Sequence, residues 1–165
     1  MPRYKKVLSE NRKAHFDYTI LESFQAGIAL SGTEVKSIRM GRVNLNDSFA
    51  RVENGEIWLY NMHVSPYEQG NRYNLNPVRQ RKLLMNKGEV RKLIGKVQEK
   101  GFTLIPLKLY LMDNWVKVDL ALAKSKKVFE KREKIKKRET DREVARAFSD
   151  SLKKKNDRTT RNKSK

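Results

Sequence analysis

No cysteine occurs anywhere in the 165 residues. Disulfides and thiolate metal sites are therefore excluded, and the usage suits a reducing cytoplasm. Histidine is nearly as scarce. His15 and His63 are the whole supply, with no third ligand at a recognisable spacing, so no metal is expected. Long apolar runs are also missing: nothing approaches the ~18 residues of a membrane span. The opening MPRYKKVLSENRKAHF lacks the apolar stretch of a secretion signal. No GxxxxGK[ST], GxGxxG or GxSxG pattern occurs, so phosphate cradles, dinucleotide folds and nucleophile elbows are not indicated. No cofactor is expected, and the chain is not read as an enzyme. The competing reading is a metal-dependent ribonuclease whose scattered acids, Asp17, Glu34 and Asp47, would have to meet through folding.

What the chain has is positive charge. Lys and Arg number 38 against 19 Asp and Glu, a net +19. The stretch 124–165 holds 18 of those bases and 7 of the acids, net +11, which leaves the preceding 123 residues at net +8. Charge this far from zero repels itself, and its natural counterpart is a phosphate backbone. Anionic lipid would need a broad apolar face beside the charges. Val128, Phe129, Ile135, Val144, Phe148 and Leu152 are too sparse to make one, so no membrane partner is expected.

Two regions follow, residues 1–123 and 124–165. Residues 1–13 read as a basic lead-in. HFDYTILESF, His15 to Phe24, is rich in aromatic and β-branched residues and predicts a strand, which Gly27 interrupts. Thr33 is placed to cap a short helix carrying Val35, Ile38 and Arg39. In SFARVENGEIWLYNMHV the pair Asn54-Gly55 separates two alternating runs, a tight-hairpin signal. PYEQGNRYNLNP reads as a mobile loop. In MNKGEVRKLIGKVQEKG, Asn86 and Glu89 resemble a capping box, Val90, Leu93, Ile94 and Val97 mark one face, and Gly101 stops the helix. FTLIPLKLYLMDNWVKVDLALA predicts two strands around Asp113-Asn114. On the second, Val116, Val118, Leu120 and Leu122 alternate with Lys117, Asp119, Ala121 and Ala123. Short antiparallel strands with few helices predict a mainly β fold, a small antiparallel barrel of the oligonucleotide-binding type.

Binding candidates are richer than catalytic ones. AGIALSGTEVKSIRMG joins small residues and two glycines to Lys36 and Arg39. VRQRKLL sets Arg79, Arg81 and Lys82 behind a loop proline, a phosphate clamp by composition. Tyr67, Tyr73 and Trp115 are candidates to stack on unpaired bases, although an aromatic in a strand is more often core. The basic arm has helix-forming composition and a favourable Glu130–Lys134 pair, but no continuous apolar stripe. It is expected to stay disordered until it meets RNA, and LKKKNDRTTRNKSK, which has no periodicity, to be disordered throughout.

Taken together, NRKAHFDY, AGIALSGTEVKSIRMG, NPVRQRKLL, PLKLY and VDLALAKSKKVFEKREKIKKRE resemble the SmpB family, in the family's order and from Asn11 to about Arg142. The resemblance implies a non-enzymatic, cytoplasmic, monomeric protein that binds transfer-messenger RNA for ribosome rescue. In that reading the barrel takes the place of a missing anticodon arm. The tail enters the empty messenger channel at the small-subunit decoding centre and becomes helical, and elongation factor Tu delivers the complex. The motifs carry RNA contacts onto Asn11, Arg12, Lys13, Lys36, Arg39, Arg81, Lys82, Lys124, Lys126 and Lys127. The family's own contact positions fall on Gln25, Leu84 and Lys117, with an acid more usual at the first of these. The tail motif matches at Lys124, Lys126, Lys127, Lys131 and Arg132, with Phe129 where His or Tyr is usual. Ile135, Lys136 and Lys137 extend it. Ser125 stands for a typical Gly and Glu130 for a typical Asp.

Overall fold

The computed structural model describes residues 5–98 and 101–161. They fall into two compact units, divided between Ser125 and Lys126. In the first, the chain runs β1 (Lys5–Glu10), α1 (Arg12–Asp17), β2 (Tyr18–Ile28), α2 (Gly32–Arg39), β3 (Val43–Asn44), β4 (Phe49–Glu53) and β5 (Glu56–Tyr60). It continues through β6 (His63–Val64), a 3-10 turn at Glu68–Tyr73, β7 (Arg81–Leu84), α3 (Lys87–Val97), β8 (Phe102–Met112) and β9 (Trp115–Ser125). The second unit is α4 (Val128–Arg161).

All strand pairings are antiparallel. Neighbours run β8-β4-β5-β7-β2-β9, and β9 returns to β8, so six strands close into the expected barrel. β1 lies beyond the ring, paired to the far half of β8. Closure limits the exposed edges of the ring, and β1 covers the part of the β8 edge that β4 leaves open.

Both sharp hairpins have the backbone that their sequences require. Asn54 and Gly55 take φ of 50° and 74°, and Asp113 and Asn114 take 49° and 67°. Positive φ at both central positions matches the twist of the flanking strands. Alternation then sends Ala50, Ile57, Leu59, Val116, Val118, Leu120 and Leu122 into one core. Ile38 from α2 and Leu93 from α3 enter that same core, each fully buried. A second, smaller cluster lies on the outer surface, where Ala14 of α1 covers Ile105, Leu107, Ala121 and Ala123.

Several boundaries differ from the sequence reading. The strand expected from His15 begins only at Tyr18, because Asn11 caps a short helix first: its Oδ1 accepts from Ala14 N at 3.1 Å. The lead-in contains β1, a strand stabilised by its partner and not by its polar sequence. Gly27 does not interrupt β2, which continues to Ile28. Ser31, not Thr33, caps α2, since the glutamate that completes a capping box stands three residues after Ser31. The Pro66–Pro77 segment, read as mobile, is cross-braced by Asn74, which accepts from Tyr67 N at 2.9 Å and donates to Tyr67 O at 2.8 Å. β9 runs to Ser125, two residues past the boundary read at Ala123.

The arm is one 34-residue helix, Val128–Arg161, the helical form that the resemblance gives it on the ribosome; its last turns fall within LKKKNDRTTRNKSK, which the sequence reading leaves without structure. Residues 162–165 lie outside the described part. The local reason is composition: Lys, Arg and Glu are good helix formers, and propensity acts without an apolar stripe.

Candidate nucleic-acid interface

The register of β7, β2 and β9 brings three separated residues to one place. Gly27 on β2 lies opposite Leu84 of β7 on one side and Lys117 of β9 on the other. Because partners across a sheet share a face, Leu84, Gly27 and Lys117 form a row on the outer surface, with Ala26 and Val118 pointing inward. Gln25 joins them two residues along β2, opposite Asp119. Gly27 matters here through its missing side chain. A Cβ would stand 3.3 Å from the Leu84 Cβ, so the glycine keeps the row low and Leu84 in place. Leu84 is 52% exposed, an apolar contact surface beside a cation.

Behind the row, the Gln25 Nε2 donates to the Tyr110 hydroxyl, and lies 3.7 Å from Met112 Sδ. Burial, with Asp119 alongside, raises the Tyr110 phenol above its ordinary value. The phenol oxygen accepts from the amide. Lys117 is half-buried on β9, directly opposite Tyr110 on β8. The patch thus combines a fixed amide, a phenol, an apolar residue and an ammonium. That set suits a folded RNA surface, where phosphate contact and shape carry recognition.

Other predicted contacts fare differently. Arg12 is exposed, and Lys13 is exposed with its Nζ 3.0 Å from Asp47 Oδ1, a bond that raises its pKa. Lys36 is exposed and lies 5.2 Å from the centroid of Tyr67. Arg39 donates from Nη2 to Asn114 O at 3.0 Å. Lys82 is half-buried and ion-paired with Glu56. Lys124 is exposed at the end of β9, with Nζ 5.9 Å from the Phe102 centroid.

Two predicted contacts are corrected. Asn11 is only 4% exposed, and its Nδ2 donates to Leu45 O and Pro106 O, each at 3.3 Å. It holds α1 against the barrel, its side chain engaged in the interior instead of presented at the surface. Arg81 is fully buried on β7. Its guanidinium donates to Met62 O at 2.7 Å, Arg79 O at 2.9 Å, Pro77 O at 3.0 Å and Glu34 Oε1 at 2.9 Å. Burial lowers its pKa and the Glu34 charge opposes that shift. Of the three bases of the clamp, Arg81 is thus an internal bracket between β7 and α2, while Arg79 and Lys82 stay partly exposed.

The acids considered for nuclease chemistry are not brought together. Asp17 and Asp47 line one hollow, while Glu34 is engaged by Arg79 and Arg81.

In the second unit, Lys126 is half-buried and Lys127 exposed. On α4, Phe129 is 70% exposed, and Arg132, Ile135, Lys136 and Lys137 are exposed as well. The Lys131 side chain lies outside the described residues.

A closed antiparallel barrel with a cationic outer patch and a basic helix defines an RNA-binding protein of the oligonucleotide-binding barrel class. Residues 8–150 match the family model described as SmpB protein, and the chain belongs to that family. It is 64% identical over 144 residues to the SsrA-binding protein of Carboxydothermus hydrogenoformans, covering 87% of this chain and 97% of that one. It is 60% identical over 148 residues to the SsrA-binding protein of Bacillus subtilis, covering 90% and 95%. A solved structure described as "tmRNA-SmpB: a journey to the center of the bacterial ribosome" contains a similar chain. Its TM-score is 0.62 at 54% identity, over 72% of this chain and 84% of that one.

Proposed function

We propose that this chain binds transfer-messenger RNA and brings it to stalled ribosomes, where it serves trans-translation without catalysing a reaction itself. The observation that carries the reading is the row of Leu84, Gly27 and Lys117 with Gln25 beside it. These are the family's contact positions, far apart in sequence, on one open face. The names of the relatives, SsrA-binding proteins, support the choice of RNA. In this reading the barrel stands in for the anticodon arm. The tail, through Phe129, Lys131, Arg132, Ile135, Lys136 and Lys137, follows the empty messenger channel from the decoding centre, while Lys124, Lys126 and Lys127 at its root contact the transfer-messenger RNA. Elongation factor Tu delivers the charged complex, and the protein acts as a cytoplasmic monomer. Among the described residues no helix is long and apolar enough to cross a membrane.

Purifying the protein with its bound RNA, and sequencing that RNA, tests the proposal. One dominant transfer-messenger RNA is expected. A random cellular mixture would overturn the specific part of it.

A further inference from the structure

Trp115 stands at the tip of the β8–β9 hairpin with 73% of its surface exposed, the most open of the large apolar side chains among the described residues. An indole is normally sheltered, so a bare one on a rigid turn calls for an occupant. The turn is held from below, where Arg39 of α2 donates to Asn114 O at 3.0 Å. Between hairpin and helix lies a cleft of about 520 Å³, within the ~300–1,000 Å³ of small-molecule sites in general. Ile28, Leu30, Val35 and Val116 supply apolar lining, Trp115 one wall, and Arg39 a cation at the rim.

The cleft is continuous with the patch already described. Trp115 and Lys117 share the outer face of β9, two residues and so ~7 Å apart along the strand. The flat apolar wall suits a base, and the cations on either side suit its phosphates. We propose that Trp115 is a stacking site for one unpaired base of the bound RNA, with Arg39 and Lys117 meeting the adjoining phosphates. The recognition surface then runs from Leu84 across Gly27 and Lys117 to the hairpin tip. This inference rests on the RNA-binding reading above. A protein occupant fits less well, because the apolar wall lies between cations beside the RNA-facing row.

The test uses the full chain carrying Trp58→Phe, which leaves Trp115 as the only indole. Trp58 is half-buried on β5, three strands away around the ring, so the substitution spares this surface. The probe is the transfer-RNA-like fragment of transfer-messenger RNA. Saturation should quench the Trp115 emission. Trp115→Ala should weaken binding by about tenfold without changing the salt slope, because stacking releases no counterions. Trp115→Phe should keep most of the affinity. An unchanged emission at saturation, or native affinity in Trp115→Ala, would overturn the stacking site. So would lost tagging with RNA affinity intact, which would assign the tip to a different partner. If the alanine variant does not fold, the emission measurement still decides. Native binding with a silent indole removes only this inference. If the native chain does not prefer the fragment over bulk RNA, both readings fall.

Discussion

Arg81 and Glu34, 47 positions apart in the chain, meet inside the protein, with Arg81 Nε donating to Glu34 Oε1 at 2.9 Å. Arg79 closes the other side of the carboxylate, from Nη2 to Oε2 at 2.6 Å, and Ser31 N donates to the same oxygen at 2.9 Å. One acid therefore balances a fully buried cation and completes the capping box that starts α2, the helix that carries Lys36 and Arg39.

Removing that acid should be expensive. Glu34→Gln leaves Arg81 charged and poorly compensated in the core, and the loss is expected at ~3–5 kcal/mol in urea unfolding. The pH dependence has a definite sign. Burial pushes the Glu34 carboxyl up, but the Arg79 bond, the Ser31 N–H and Arg81 together outweigh it and hold the pKa below the ordinary value. The contribution is thus fully present above the unfolded value of ~4.3 and is lost as pH falls through the lower folded value. The native protein should lose stability across that acid range more steeply than Glu34→Gln. Equal slopes would remove the carboxylate from the balance.

Truncation after Ser125 should separate the two units. All barrel strands end by that residue, so the fragment is expected to fold and to bind the RNA with near-native affinity. Tagging of stalled nascent chains should disappear. Cutting at Ala123 instead removes Lys124 and Ser125, which pair with Thr19 and Tyr18 of β2, and should cost some barrel stability. Thermal melts and a tagging assay distinguish these outcomes.

Salt should report the Lys117 contact. If the barrel neutralises ~4–6 phosphates, log affinity should fall against log salt with a slope of roughly −3 to −5, at ~0.7–0.9 per contact. Lys117→Ala should make the slope shallower by about one contact. An unchanged slope and affinity would take Lys117 out of the interface.

The arm should gain order on the ribosome. α4 is one helix, yet its described side chains from Phe129 to Asp150 are exposed except for a half-buried Lys134. A helix with so little burial is marginal in isolation, since ordering costs ~1–2 kcal/mol per residue. Amides from Phe129 to Phe148 should therefore exchange rapidly in the free protein and slowly on the ribosome. Phe129→Ala should impair tagging more than RNA binding, and Phe129→His or Phe129→Tyr should largely restore it. Strong protection in the free protein would mean a preformed arm.

How much of this was legible follows from how local each signal is. Positive φ at Asn54-Gly55 and Asp113-Asn114, and the strict alternation of Val116 to Leu122, depend on a few neighbouring residues, so the sequence determined both hairpins and the inward face of β9. It also determined the basic arm, because charge is additive along a chain, and the α3 stripe that buries Leu93. Only tertiary structure decided what depends on distant partners. β1 exists because β8 has an edge to pair with, and Gly27 is passed through because Leu84 lies against it. Arg81 reads as a surface cation in VRQRKLL and is buried because Glu34 arrives from α2 to balance it. Trp115 reads in sequence as a strand aromatic and so more often as core, and the hairpin that Arg39 anchors is what leaves it bare. The row of Leu84, Gly27 and Lys117 is likewise a product of strand register, a long-range quantity that no single stretch of the chain contains.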